Sequence, residues 1–111
     1  MQGGLAQGIG QALMERIAYD GDGQLLSATF MDYALPRAAD LPDLQVHLQP
    51  GCPASVNPLG VKGVGQAGAI AAPQVVMAAV LDALAGRGVG WIDMPARPEV
   101  VWKALGRAGA G

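Results

Sequence analysis

The residues able to do chemistry are concentrated in one stretch: Asn57-Pro58-Leu59-Gly60-Val61-Lys62-Gly63-Val64-Gly65-Gln66-Ala67-Gly68. Its four glycines fall within nine residues, directly ahead of an apolar run that reads as a helix. Unshielded backbone N–H groups leading into a helix N-terminus favour an anionic or acceptor-rich ligand. Lys62 adds a full positive charge. The competing reading is a glycine loop that serves tight packing alone. Gly63-x-Gly65-x-x-Gly68 matches the dinucleotide fingerprint in letters only. That fingerprint needs a strand directly before it and an acid about 20 residues later on the next strand. Here a proline-rich loop precedes it, and Asp82 lies within the following helix. A P-loop is excluded too, because Lys62 stands before the last three glycines and no Gly-Lys-Ser/Thr follows.

The other reactive side chains are few. Cys52 is the only cysteine and His47 the only histidine, so there is no internal disulfide. The pair cannot build a zinc site from this chain alone, and no metal ligands are assigned. Cys52 sits in a loop context as a spectator thiol. His47 lies on the polar side of a short alternating segment and reads as solvated.

The elements that must position the loop are legible in outline. Residues 2–18 read as a helix, with Leu5, Ile9, Leu13 and Ile17 at steps of four. Gly3, Gly4, Gly8 and Gly10 are unfavourable there, at ~1 kcal/mol each relative to Ala. Close approach of another backbone, or of a cofactor, would compensate; otherwise the helix begins only near Gly8. Residues 24–33 alternate as a strand after the turn Asp20-Gly21-Asp22-Gly23, and residues 44–48 form a second. Residues 49–68 are a long loop. A helix over 69–85 follows, with Pro73 in its first turn and an apolar surface nearly all round. Trp91 to Met94 are extended. Pro98 opens a last helix that packs through Val101, Trp102 and Leu105, and residues 106–111 fray. The fold class expected is α+β.

Composition bounds the rest. Of 111 residues, 20 are Ala and 17 Gly, with one Phe, two Trp and two Tyr, so an independent core would be thin. Charged residues make up 14%, against a usual ~25%, which implies that much of the surface is meant to be covered. The net charge is −2 and the Arg residues are scattered, which excludes a nucleic-acid partner. The apolar run 67–84 contains Pro73, Gln74 and Asp82 and is too short to span a membrane. The expected location is the cytoplasm.

These stretches carry a family resemblance. Gly3 to Leu13, Asp32-Tyr33-Ala34-Leu35-Pro36, Asp40-Leu41-Pro42, Asn57 to Gly65, Ile92-Asp93-Met94-Pro95 and Pro98-Glu99-Val100-Val101-Trp102 occur in this order. Together they resemble the C-terminal part of the large, molybdopterin-binding subunit of the xanthine dehydrogenase/aldehyde oxidase family, in its carbon monoxide dehydrogenase-like branch. The resemblance implies that residues 1–111 are a partial molybdopterin-binding domain, a fragment whose loop 57–68 faces the cofactor. That cofactor would be molybdenum on a pterin, in some members as a cytosine dinucleotide, with iron–sulfur clusters and FAD on partner subunits. The family hydroxylates a carbon centre of a small molecule, such as an aldehyde or N-heterocycle, with oxygen from water. Lys62, Gly63, Val64 and Gly65 would line the cofactor.

The family's next residue is a glutamate acting as general base. Here it is Gln66, which has no titratable pair near neutral pH. The chain is then an inactive or altered homologue, a branch with different chemistry, or the carrier of a substitution. The Gly-Gln pair that family members place just upstream is also absent. Catalysis would require the rest of the large subunit, and the isolated chain is expected to be inactive. The alternative is a non-catalytic binding or interaction module that keeps the fold.

Overall fold

The computed structural model describes residues 1–49 and 51–109. Among them are three α-helices: α1 (Gln2–Leu13), α2 (Ala72–Ala85) and α3 (Pro98–Ala108). A single 3-10 turn, Ala38–Asp40, lies between α1 and α2. It is closed by Asp40, which accepts hydrogen bonds from both the Arg37 backbone N–H and the guanidinium. The guanidinium bonds hold the Asp40 carboxyl below its ordinary value.

The helix α1 begins at Gln2, so its glycines are helical, but it stops at Leu13 rather than running to residue 18. The N–H groups of both Met14 and Glu15 turn back to the Gly10 carbonyl, and residues 15–18 follow without helical structure. Ile17, expected on the helix face, is 55% exposed. In α2, Pro73 occupies the first turn, where its missing N–H leaves no intrahelical bond unmade. Gly88, at φ +77, takes the left-handed turn beyond its C-terminus.

No strand forms among the described residues, which corrects the α+β expectation. Over 24–33 the only bridge is Tyr19 with Leu25. Its neighbourhood is fastened by Leu26 N–H to the Ala18 carbonyl (2.8 Å) and Ala18 N–H to Ser27 Oγ (2.9 Å). From Thr29 the chain turns instead of extending: Asp32 and Tyr33 N–H both reach the Thr29 carbonyl. Residues 44–48 are irregular, with Leu44 and Val46 half-buried and Leu48 78% exposed. An alternating pattern gives a side-chain period of two, but a strand also needs a neighbour for its N–H and C=O groups. The described residues supply none.

The core is small. Ala12, Met77, Val89, Ile92 and Ala96 are buried together, flanked by Leu13, Val80, Leu84, Val101 and Leu105. Ala96 N–H donates to the Ala12 carbonyl at 2.7 Å, tying the segment before α3 to the end of α1. Trp102, expected in the packing face of α3, is 72% exposed, and Val100 and Ala104 pack in its place. Gly106, Arg107 and Ala108 remain helical instead of fraying, while Ala110 and Gly111 lie outside the described residues.

The overall shape is drawn out. The Cα radius of gyration is 18.3 Å, against about 13 Å for a compact chain of this length. The accessible surface is 8388 Å², against roughly 5,700 Å² for a monomer of this mass. Phe30, Met31, Val56, Leu59 and Trp91 are among the large apolar side chains left open. The outer side of α2 is exposed at Val75, Ala78 and Ala79, so the helix is covered on one side only.

Candidate functional site: the glycine loop ahead of α2

Two glycines of α1 face small residues at the start of α2. A β-carbon on Gly8 would stand 2.5 Å from Ala72 Cβ, and one on Gly4 would stand 3.1 Å from Gly68 Cα. Reciprocally, a β-carbon on Gly68 would meet the Met1 carbonyl at 2.6 Å and the Leu5 nitrogen at 2.8 Å. Gly4 and Gly8 are one helical turn apart, and they meet Gly68 and Ala72 along one seam, the first through backbone and the second through the Ala72 methyl. This contact is the compensation for Gly4 and Gly8; Gly10 is met instead by Pro36 and Glu15, and Gly3 has no neighbour within 4 Å. The seam also fixes the downstream end of the loop against the N-terminal turn of α1.

The upstream end is fixed differently. Asn57 uses both ends of its side-chain amide on Val61: Nδ2 donates to the Val61 carbonyl (3.0 Å), and Oδ1 accepts from Val61 N–H (3.1 Å). The Asn57 carbonyl accepts from Gly60 N–H, and the Gly60 carbonyl accepts from Ala54 N–H. Gly60 stands at φ +65, where a β-carbon would also lie 2.8 Å from Pro53 Cβ, so only glycine fits.

Between these anchors lie Lys62, Gly63, Val64, Gly65 and Gln66, all exposed. Their backbone N–H groups donate to no acceptor among the described residues, whereas the turn resumes with Ala67 N–H to the Val64 carbonyl. Ala69 and Ile70 N–H both bond to the Gln66 carbonyl, so Gln66 starts the turn that leads into α2. The Gln66 side-chain amide and the Lys62 ammonium have no partner among the described residues. A β-carbon on Gly63 or Gly65 would meet nothing within 4 Å. No packing among the described residues therefore requires glycine at these two positions. Five consecutive free donors, a free cation and open space beside two glycines fit an acceptor-rich group brought against the backbone.

The five loop residues singled out in the sequence thus lie together on one exposed strip. Asn57 belongs to the same motif, and an Asn preceding Pro in a turn is the sequence signal for its two-point hold on Val61. Cys52 and His47 are exposed, and no group of three or more His, Cys, Asp or Glu among the described residues could hold a metal ion. Away from the loop, the Tyr33 hydroxyl donates to the half-buried Glu15 carboxylate at 2.7 Å. That hydrogen bond, with smaller contributions from desolvation and the carboxylate's charge, raises the Tyr33 pKa. A hollow of about 470 Å³ lies between α3 and residues 88–93, and none of the loop residues line it. No helix among the described residues is long and apolar enough to cross a membrane.

Residues 1–42 match the molybdopterin cofactor-binding domain. The chain is 40% identical over 94% of its length to the nicotine 6-hydroxylase large subunit of Paenarthrobacter nicotinovorans. Among solved structures, quinoline 2-oxidoreductase from Pseudomonas putida 86 superposes with a TM-score of 0.83 at 43% identity, over 94% of this chain. The reconstituted carbon monoxide dehydrogenase of Oligotropha carboxidovorans superposes with a TM-score of 0.86 at 33% identity, over 97%. In all three cases the chain spans 13% of the relative's own length. Sequence and fold agree along nearly the whole of this stretch, and the chain is related to part of the molybdopterin-binding large subunits, carbon monoxide dehydrogenase large chains among them.

Proposed function

We propose that residues 1–111 form part of the cofactor-binding domain of a molybdenum hydroxylase large subunit, and that loop 57–68 presents its backbone to a molybdenum–pterin cofactor. The observation that carries this reading is the run of free N–H groups from Lys62 to Gln66, held between two rigid anchors. When bound, the molybdenum–pterin group supplies the redox and oxygen-transfer chemistry of a hydroxylation that draws its oxygen from water.

Lys62, Gly63, Val64 and Gly65 would hold the group: their N–H donors satisfy acceptor atoms, and Lys62 offsets negative charge. Gln66 occupies the position of the general base. Its amide can donate to one partner and accept from another, and so orient a substrate or a water, but it cannot take up a proton. The nicotine and quinoline relatives favour an N-heterocyclic substrate over an aldehyde. The remainder of the large subunit would cover the exposed apolar surface and pair with residues 24–33 and 44–48, restoring an α+β domain. Electrons would pass to iron–sulfur clusters and FAD on partner subunits. A cytosine dinucleotide form of the pterin and a cytoplasmic location complete the proposal.

Gln66 itself favours a second reading, a non-catalytic module that keeps the cofactor-facing fold. Either reading is tested first by Gly65→Trp in a large subunit carrying this segment. The open space beside Gly65 would be filled from within the loop, and molybdenum and pterin content should fall to background. Unchanged content would show that the loop does not line the cofactor.

A further inference from the structure

We infer that Asn57 is the positioning residue of this loop, setting where the run of free donors begins; the inference rests on the cofactor-facing reading proposed above. The amide of Asn57 engages both backbone groups of Val61. Val61 is therefore the last residue of the loop whose N–H and C=O are consumed internally. Lys62 opens the unbroken run of five residues whose N–H groups donate to nothing among the described residues. The bond from Gly60 N–H to the Asn57 carbonyl closes the same turn, and the left-handed Gly60 against Pro53 prevents it from relaxing. Residue 57 lies five positions before Lys62 and has no part in the free strip. It acts by holding the strip's starting point in place, as the contact of Gly68 with α1 holds its end.

The chemistry requires an amide. A carboxylate could still accept from Val61 N–H, but it could not donate to the Val61 carbonyl, and it would place two oxygens against each other. Alanine would release both backbone groups of Val61. The free run would then start one residue earlier and sample several directions. Binding would be weakened through lost preorganisation, with the binding atoms themselves intact.

The test is reconstitution of the cofactor-free large subunit carrying this segment with isolated molybdenum–pterin cofactor, followed by metal and pterin content. For Asn57→Ala the concentration needed for half-loading should rise by about tenfold, in line with residues that orient a binding group from behind. Full loading should still be reached at high cofactor. Asn57→Asp, which keeps one bond but sets a carboxylate oxygen against the Val61 carbonyl, should also raise the half-loading concentration. An unchanged half-loading concentration in both variants overturns the inference. So does a lowered plateau at unchanged half-loading concentration, which marks a purely structural role. Gly65→Trp run in parallel separates the two levels. If it loads normally, the cofactor-facing reading fails. If it fails to load while both Asn57 variants load like wild type, only the role of Asn57 is lost.

Discussion

Gly8 and Ala72 meet so closely that a single added β-carbon on Gly8 would lie 2.5 Å from the Ala72 methyl. One turn earlier, Gly4 and Gly68 touch through their backbones. This two-step seam joins α1 to α2 and ends two residues beyond Gln66. Gly4 and Gly8 of α1 are thus explained by the segment they face, whereas Gly10 is met by Pro36 and Glu15.

Gly8→Ala and Gly3→Ala should act with opposite sign. Both relieve the intrinsic penalty of helical glycine, by up to ~1 kcal/mol. At Gly3 nothing lies within 4 Å of the new methyl, so stability should rise or stay level. At Gly8 the methyl overlaps Ala72 and Pro73, and overpacking of this kind costs roughly 1–3 kcal/mol. Denaturant midpoints of both variants, in a large subunit carrying this segment, check the prediction. A Gly8→Ala form as stable as the Gly3→Ala form would mean that the seam is looser than described.

The Tyr33–Glu15 contact should respond to alkaline pH. The folded-state pKa of Tyr33 is raised above 10.0, first by its hydrogen bond to Glu15. A proton held more tightly in the folded state stabilises it below the unfolded pKa. That contribution is fully present below about pH 10 and is lost as pH rises through the folded value. A difference titration of tyrosinate absorbance between the wild-type subunit and its Tyr33→Phe variant should place Tyr33 above an ordinary phenol. Glu15→Gln should bring it back down. A Tyr33 that titrates like a free phenol in the presence of Glu15 would contradict the contact.

The segment expressed alone should associate or remain partly unfolded. Its core is small, and Phe30, Met31, Val56 and Leu59 are each more than four-fifths exposed. Size-exclusion chromatography with light scattering should show assemblies or an expanded chain, with strong binding of a hydrophobic dye. A monodisperse monomer with a sharp thermal transition would show that the stretch is self-sufficient.

Gln66→Glu should raise hydroxylation turnover in a cofactor-loaded subunit while leaving molybdenum content unchanged. A missing general base typically costs ~10²–10⁴-fold in rate. The exchange is nearly isosteric, and the side chain is exposed and without an internal hydrogen-bond partner among the described residues, so packing is unaffected. Turnover is measured over a panel of N-heterocycles and aldehydes at matched loading. Equal rates for the two forms would remove the proton-accepting role from position 66. Loaded but inactive forms of both would favour the non-catalytic module.

The sequence by itself determined the features that depend on neighbours along the chain. Pro73 and Pro98 marked first helical turns, because a residue without an N–H is tolerated there. The spacing of Gly60, Gly63, Gly65 and Gly68 marked an irregular loop leading to a helix. The clustered motifs carried the family. The tertiary structure decided whatever needed a distant partner. Alternation over 24–33 did not become a strand, because no second strand lies beside it among the described residues, and Thr29 closed a local turn instead. Leu5, Ile9, Leu13 and Ile17 share a period, yet α1 stops at Leu13 where the Gly10 carbonyl takes two N–H groups. The four loop glycines looked alike in the sequence and differ in the fold. Gly60 is needed for its left-handed backbone and Gly68 for its contact with α1. Gly63 and Gly65 face open space. That difference separates glycines that build the loop from glycines free to meet a ligand, and at Gly68 it comes from contacts with residues more than sixty positions away.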